Sequence, residues 1–470
     1  MITHPSPHLG RLGLRLVVAL TAGALAMGTL ACNGADVDPS AGGTTGTGTS
    51  PATGSSTATE PASTPSSAGT ATGGSTETAT ASLTATTVAP DPEAALRRSL
   101  LSSLTTGLSP ESTREALKDI EVVTTPLAAE GRTLRVAVTS GAGIYALPEA
   151  REHVAAIYEQ SGSDWVELSN LALGSGPTFA EIEVVADDYA GSSWIAIHGV
   201  TGAHSGTFEL LQFDGVDLMS AVWWFSSMPG AATIVDLDGV EPREIVLNAT
   251  DPYVYCYACG VRAWHEVIYR WVDGALVEVP LTGVAANSQL VTDLTETAAL
   301  LAQGDLWARA LAMVTEARNA DPENVDVFWL YTLIERVAEA RLTDAGAEQQ
   351  PFMTQVLAGE YEAAVALMRP YEPAVALDPA GPLVANTIAD GDWGDATATW
   401  TLDYTERALA VAPDLAAAHA VRAFGLLVEN PENWAGALEE MEEARRLQPE
   451  DEFYQLCVEY LFEQNGGAFG

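Results

Sequence analysis

The chain has 470 residues, and its 63 acidic residues against 21 Lys and Arg give a formal net charge of −42. Such a charge argues against nucleic acid as a partner, because phosphate binding needs clustered Lys and Arg. It argues equally against electrostatic docking on an anionic membrane surface. Hydrophobic residues make up 47% of the chain, which excludes an acidic disordered protein. The 4 cysteines are too few for a scaffold held together by disulfides.

The N-terminal segment, residues 1–31, predicts an export signal. Two arginines, Arg11 and Arg15, precede an apolar run that extends from Leu16 to Ala31. At about 1.5 Å per residue this run spans roughly 24 Å, which is short for a membrane-spanning helix and typical of a signal-peptide core. The chain is therefore expected to be exported.

The end of this run is Thr-Leu-Ala-Cys at 29–32, and it resembles a bacterial lipoprotein signal. The resemblance implies that Cys32 becomes the lipidated N-terminal residue and anchors the protein at the outer membrane or cell surface. Thr29 stands where the family usually has Leu, so cleavage without lipidation and an uncleaved anchor remain alternatives.

Residues 32–92 predict a disordered Ser/Thr/Gly/Pro-rich tether. From 33 to 92 there is no aromatic residue and no Lys or Arg, so the segment has little to bury. A flexible coil of about 60 residues averages roughly 40–45 Å from end to end. The tether would hold the folded part away from the membrane.

The next two segments predict a short helical stretch at 93–130 and a β-rich domain at 131–285. Ser109-Pro110-Glu111 is a favourable helix start, with Pro in the first turn. The β-rich part reads as three copies of one unit, each with a hairpin closed around a glycine. The turn glycines 162, 215 and 274 lie 53 and 59 residues apart. Asp-Gly between alternating apolar runs is a strong hairpin signal.

The third unit contains Asp236-Leu237-Asp238-Gly239 followed by the apolar strand 244–247, and it resembles the integrin-type FG-GAP/VCBS blade repeat. In that family the acidic loop often binds calcium, which makes Asp236, Asp238 and Glu244 candidate ligands; the alternative is an ordinary Asp-Gly turn. Three units cannot close a ring, since closed propellers usually have four to eight blades. An incomplete propeller, a curved stack of sheets and a β-sandwich all remain open.

The C-terminal part, 288–464, predicts helices with a recurring pattern. An alanine stands five residues before a proline in four places, namely Ala317/Pro322, Ala374/Pro379, Ala408/Pro413 and Ala444/Pro449. The pattern resembles the tetratricopeptide repeat, which implies about four helix pairs stacked as a solenoid, with an irregular insertion near 342–350. Ala310 and Ala437 fit the family's other small position, whereas Leu367 and Thr401 depart from it. A generic alanine-rich helical bundle is the alternative.

No catalytic signature emerges, and the protein is predicted not to be an enzyme. Ser205 stands one place too late in Gly-Ala-His-Ser-Gly to form a nucleophile elbow. Cys256 and Cys259 are expected to form a disulfide in an exported protein. A zinc site with His198, His204 or His265, or a redox-active pair, is the alternative for these cysteines.

Together these features predict a multidomain α+β protein: a β-rich propeller-like or sandwich module followed by a tetratricopeptide-like helical solenoid. The predicted function is an envelope lipoprotein that acts as a protein–protein interaction scaffold, with a protein or peptide partner that the acidic surface would favour as basic. No resident cofactor is expected, apart from calcium as a candidate. The alternative function is glycan or small-ligand binding by the tryptophans of the β module, Trp194, Trp223, Trp224, Trp264 and Trp271.

Overall fold

The computed structural model describes residues 92–146, 151–201, 205–250, 254–255, 261–343, 350–384 and 393–466. All of them belong to one compact unit, Ala85–Gly470. The predicted signal peptide, Cys32, the tether up to residue 91, Cys256 and Cys259 lie outside the described residues. None of the described helices is long and apolar enough to cross a membrane.

Two helices open the described part, α1 (Pro92–Leu104) and α2 (Pro110–Ala116). The predicted start of α2 is confirmed, because the Ser109 hydroxyl accepts a hydrogen bond from the Ser112 amide at 3.1 Å. The prediction of helical structure up to residue 130 is wrong for its last part, where Glu121–Ala129 forms a strand.

Twelve strands in the described residues form three four-stranded antiparallel sheets, each with its strands side by side in chain order. Sheet 1 contains β1 (Glu121–Ala129), β2 (Arg132–Ser140), β3 (Val154–Ser161) and β4 (Asp164–Ala172), with a short 3-10 helix at Ala142–Ala146. Sheet 2 contains β5 (Phe179–Tyr189), β6 (Ser192–Thr201), β7 (Ser205–Phe213) and β8 (Leu218–Ser226). Sheet 3 contains β9 (Ala232–Val235), β10 (Glu244–Asn248), β11 (Glu266–Val272) and β12 (Ala275–Glu278).

The three predicted units correspond to the three sheets. In each sheet the predicted turn glycine, Gly162, Gly215 or Gly274, joins the third strand to the fourth, with φ of 65°, 95° and 82°. L-residues with a side chain rarely adopt these values, so the turns depend on glycine. The repeated geometry confirms that the β-rich part is built from three similar meanders.

The sheets are stacked, with sheet 2 in the middle. Val136 and Ile157 of sheet 1 pack with Ile195 and Leu211 of sheet 2. On the other face of sheet 2, Phe208 belongs to the core shared with sheet 3. Among the described residues the sheets stay open and do not close into a ring.

Ten helices follow in the described residues. They are α3 (Gln289–Gln303), α4 (Trp307–Ala320), α5 (Val325–Leu342), α6 (Pro351–Ala358), α7 (Tyr361–Met368), α8 (Pro373–Ala376), α9 (Gly394–Val411), α10 (Ala416–Glu429), α11 (Trp434–Leu447) and α12 (Glu452–Gln464). Helices α4, α9 and α11 end just before Pro322, Pro413 and Pro449, as predicted. Pro379 differs, because α7 already ends at Met368 and Ala374 lies in the four-residue helix α8.

The small residues of the predicted repeat lie in the helical core. Ala310, Ala317, Ala437 and Ala444 are all fully buried. The helices also pack on the β stack, since Ile268 of sheet 3 shares a core with Trp329 and other residues of α5. The described fold is therefore α+β, with sheet 3 in contact with the first helices of the C-terminal region.

Candidate functional site

The turn between β9 and β10 brings the three predicted calcium ligands together. Side-chain oxygens of Asp236, Asp238 and Glu244 all lie within 4.8 Å of one another. The two aspartates are exposed and Glu244 is buried. The sequence spacing accounts for this arrangement, because the aspartates lie in the tight turn and Glu244 is the first residue of β10.

Backbone amides of the turn fix one oxygen of each carboxylate. The Gly239 amide donates to Asp236 Oδ1 at 2.7 Å, and the Leu237 amide donates to Glu244 Oε2 at 2.8 Å. Asp238 Oδ1 accepts in the same way from the Val240 amide at 2.9 Å. These bonds orient the carboxylates, and each one has a second oxygen that can bind a ligand.

The electrostatics of the turn favour a cation. Burial raises the pKa of Glu244, and the negative charges of Asp238 and Asp236 raise it further, against the opposing hydrogen bond from Leu237. Calcium prefers six to eight oxygen ligands. Three carboxylates are a suitable but partial set, so water or another group would have to complete the coordination. The donor chemistry therefore fits calcium.

A groove adjoins this turn and is called the acidic groove below. It has a volume of about 250 Å³. Its lining residues are Asp238, Pro322, Glu323, Asn324, Val325, Phe328 and Trp329. Two exposed carboxylates, Asp238 and Glu323, thus flank a surface that includes the partly exposed Phe328 ring. The groove combines the β9–β10 turn with the turn between α4 and α5.

Local bonds hold the helical side of the groove in place. Asn324 caps α5, and its side-chain oxygen accepts the amides of Asp326 and Val327 at 3.1 and 3.2 Å. Trp329 is buried, with the Arg270 guanidinium 5.5 Å from its ring centre. Arg270 also forms an ion pair with Asp326 at 2.7 Å, so its positive charge is balanced.

Most of the tryptophans singled out from the sequence have structural contacts. Trp194 is buried and packs edge-on against Trp271, with ring centres 4.7 Å apart. The indole nitrogens of Trp224 and Trp271 donate to backbone carbonyls at 2.8 and 2.9 Å. Trp223 differs, because 52% of its surface is exposed. Within this set Trp223 is therefore the ring best placed to contact a ligand.

The other candidates from the sequence are less informative. The Ser205 hydroxyl at the start of β7 donates to the Thr201 carbonyl. His198 lies 3.4 Å from Glu183 and packs against Phe208. His204 lies outside the described residues, as do Cys256 and Cys259, so the zinc and redox alternatives stay predictions.

Sequence reasoning missed the acidic groove as a whole. Asp238 and Glu323 are 85 positions apart, and no local pattern indicates that their turns meet. The adjacent aromatics Phe328 and Trp329, shortly after the start of α5, are the one local signal of an aromatic surface there.

Comparisons with known proteins give little. No protein-family model matches the chain, and no curated protein matches it. A solved structure of a BT0996 RGII complex matches with 17% identity and a TM-score of 0.20, over 36% of this chain. The match spans 59% of the length of that protein. A similarity of this size carries no argument about fold or function.

Proposed function

We propose that the chain is a non-enzymatic, exported lipoprotein that is anchored through Cys32 and acts as a protein–protein interaction scaffold. The acidic groove is the proposed contact point, and its occupant is a basic side chain of a partner protein. The observation that carries the proposal is the pairing of two exposed carboxylates with the partly exposed Phe328 ring, where sheet 3 meets α5.

The chemistry of the groove suits lysine or arginine. The apolar stem of such a side chain packs on the partly exposed Phe328, while its charged head reaches Asp238 and Glu323. Cations are attracted to aromatic faces by about 0.5–2 kcal/mol. The net charge of −42 would speed the encounter with a basic partner.

The proposed architecture is an incomplete propeller followed by a tetratricopeptide-like array. The repeated meanders, each with a glycine turn at the same place, support the first part. Paired helices with buried alanines at the small positions support the second. In this interpretation the acidic groove lies where the two repeat systems meet, a position suited to a partner that contacts both.

A charge-matched pair of variants tests the groove. The full mature chain is titrated, in calcium-free buffer because Asp238 also belongs to the β9–β10 turn, against a fluorescent peptide with two arginines separated by glycines. Fluorescence anisotropy should show saturable binding. The double variant Asp238→Asn/Glu323→Gln should bind about 10-fold more weakly, because it removes two exposed charge pairs that are each worth up to about 1 kcal/mol.

The control variant Glu439→Gln/Glu442→Gln removes two exposed carboxylates from α11 and so changes the net charge equally. It should bind the peptide nearly as well as the wild type. Equal weakening in both variants would mean that only the overall charge attracts the peptide, and the groove would lose its role.

The anchor has a separate test. Mass spectrometry of the mature N-terminus, on protein purified from a bacterial membrane, should find a diacylated or triacylated Cys32. An unmodified N-terminus contradicts the lipoprotein proposal and leaves the groove experiment unaffected.

A further inference from the structure

The loop between β4 and β5, residues 173–178 (the β4–β5 loop), covers a group of buried polar atoms. In the described part of the chain, Ser175 Oγ, Thr207 Oγ1 and Glu209 Oε2 are buried side-chain atoms without a hydrogen-bond partner. Glu209 lies against Ser175 and the Gly174 amide. Thr207 lies under Pro177, since a Cβ on the neighbouring Gly199 would meet both residues, at 2.3 and 2.8 Å.

Exposed aromatic rings surround the same loop. Trp223 and Phe225, called the aromatic shelf below, point to one face of β8 and are 52% and 48% exposed. In the register of β7 and β8, Trp223 lies directly opposite Glu209, and Phe225 lies directly opposite Thr207. The shelf and the unpaired polar groups therefore occupy the same face of the sheet.

Glycine at position 174 makes this arrangement possible. A Cβ on Gly174 would lie 3.3 Å from the indole ring of Trp223, so the ring rests directly on the loop backbone. On the other side of the loop, the exposed Tyr145 donates its hydroxyl to the Gly176 carbonyl at 2.9 Å. The loop thus separates buried hydrogen-bonding groups from exposed rings.

Neither half of this arrangement is expected in a surface with a purely structural role. A buried polar atom without a partner costs about 1–3 kcal/mol. Burial also raises the pKa of Glu209, although polar contacts with Ser220 and Ser175 oppose the change. Exposed aromatic rings grouped together are typical of binding surfaces.

We propose that the aromatic shelf and the groups behind it bind a neutral carbohydrate. The apolar C–H face of a sugar ring packs on Trp223 and Phe225, and sugar hydroxyls bond with Glu209 and its neighbouring hydroxyls. Glu209 is only 2% exposed and lies behind Gly174 and Ser175, so the sugar reaches it when the Trp223 ring leaves Gly174 and the β4–β5 loop shifts. This site is separate from the acidic groove and does not depend on it.

The charge of the site selects against anionic sugars. Its polar groups are one carboxylate and the hydroxyls of Ser175 and Thr207, set in a chain with a net charge of −42. A uronic acid would place a second carboxylate beside Glu209 and repel it. Neutral hexoses, which offer hydroxyl donors to the carboxylate, are the class that fits.

Calorimetric titration of the full chain tests the proposal with three probes: β-1,4-linked glucohexaose, α-1,4-linked glucohexaose and hexagalacturonate. At least one glucohexaose should bind with a dissociation constant below about 1 mM, and hexagalacturonate should not bind. Absence of binding by both glucohexaoses, or equal binding of the uronate, overturns the proposal.

Variants then locate the binding. Trp223→Ala should weaken binding at least about 10-fold, as truncation of a central aromatic anchor does. The more conservative Trp223→Phe should retain most of the affinity, which guards against a general folding defect. Trp393→Ala, at a tryptophan of the helical region that is 37% exposed, is the matched control and should bind normally. Normal binding by Trp223→Ala excludes the shelf.

Glu209→Gln separates a ligand-binding role from a structural one. Because the variant removes a buried charge with an unpaired oxygen, its melting temperature should equal or exceed that of the wild type. Its affinity for the glucohexaose should nevertheless fall about 5-fold. Unchanged affinity removes Glu209 from the site.

Discussion

A buried carboxylate in the helical region and one in the β stack differ in how completely they are hydrogen-bonded. Asp305, in the turn between α3 and α4, accepts hydrogen bonds from Arg407 Nε at 2.6 Å, Arg341 Nη1 at 2.8 Å and Trp307 Nε1 at 3.1 Å. Glu209 in the β stack is also buried but has one oxygen without a partner. A fully paired carboxylate fixes the packing of its neighbours, whereas a carboxylate with one free oxygen can still accept a hydrogen bond from a ligand.

The Asp305 network also connects the two regions. Arg341 of α5 is only 5% exposed, and besides Asp305 it donates to the carbonyls of Leu357 and, at 2.7 Å, Trp264. Trp264 precedes β11 of sheet 3. One arginine therefore bonds to the α3–α4 turn, to α6 and to the segment that leads into β11, so this network links the two regions.

Removing the charge of Asp305 is expected to have the largest effect. Asp305→Asn keeps the shape and tolerates the φ of 60° at this position, but it leaves two arginines without their counter-charge. Breaking a buried ion pair costs about 3–5 kcal/mol. The free energy of unfolding from urea titration should fall by this amount.

An exposed ion pair of the same helical region supplies the control. Arg309 and Glu362 lie 2.5 Å apart, with roughly half of each side chain exposed. Glu362→Gln should cost less than about 1 kcal/mol, because solvent screens the pair. A loss of that small size in Asp305→Asn as well would remove the contrast between the paired and unpaired carboxylates.

The hairpins and the helix ends could be predicted from the sequence because their causes are local. Asp214 illustrates this, since its side chain accepts the amides of Val216 and Asp217 at 2.9 and 2.8 Å and closes the turn at Gly215 by itself. Strand β1 lies in the segment predicted to be helical, and it contains Pro126, a residue that is unusual inside a strand. The structure tolerates Pro126 because β1 is an edge strand of sheet 1.

The candidate sites also differ in whether their residues could be grouped from the sequence alone. Asp236, Asp238 and Glu244 lie within nine residues of one another, so their spacing indicated a shared turn. The importance of Glu209 depends on Trp223 across the strand pair and on a loop more than thirty residues earlier. Register and sheet packing decide such contacts, and a single sequence does not determine them.

The response to calcium tests whether the β9–β10 turn of the β stack binds this ion. At a calcium concentration 100 times the dissociation constant, one bound ion stabilises the protein by about 2.7 kcal/mol. Calcium added to metal-free protein should therefore raise the melting temperature, and Asp238→Asn should reduce this rise. The measurement is differential scanning calorimetry.

The matched control is Asp188→Asn, which changes an exposed aspartate near the end of β5, next to the corresponding first turn of sheet 2. This variant should respond to calcium like the wild type. If calcium shifts neither protein, the β9–β10 turn is an ordinary Asp-Gly turn.

Glycine-to-alanine substitutions compare how closely the backbone is packed in the two regions, and their expected effects on stability are of intermediate size. A Cβ on Gly359, between α6 and α7, would lie 2.2 Å from the backbone carbonyl oxygen of Asp305, so Gly359→Ala should cost more than about 2 kcal/mol. Gly215 has no atom within 4 Å of its Cβ position. Gly215→Ala should therefore cost only the strain of its positive φ, about 1 kcal/mol. Equal losses in urea titrations would show that the β turn is packed as closely as the helical one.

Two histidines are expected to have the smallest effect on stability. Their pKa values are shifted in opposite directions. Burial lowers the pKa of His153, which directly precedes β3 of sheet 1, below its ordinary 6.5, against a hydrogen bond to Gly141. Burial also lowers the pKa of His419 in α10, but bonds to Glu440 and the Pro413 carbonyl, with the charge of Glu443, raise it above 6.5 overall. The β stack thus favours a neutral histidine and the helical region a charged one.

The pH dependence follows from these directions. The stability contributed by neutral His153 is present above pH 6.5 and is lost as the pH falls through the lowered pKa. The stability contributed by charged His419 is present below pH 6.5 and is lost as the pH rises through the raised pKa. After allowance for solvent screening, the His419 pair is worth about 0.5–1 kcal/mol. In urea titrations, His419→Gln should therefore destabilise the protein below about pH 6 more than above about pH 8, and the same loss at both values would contradict the assignment.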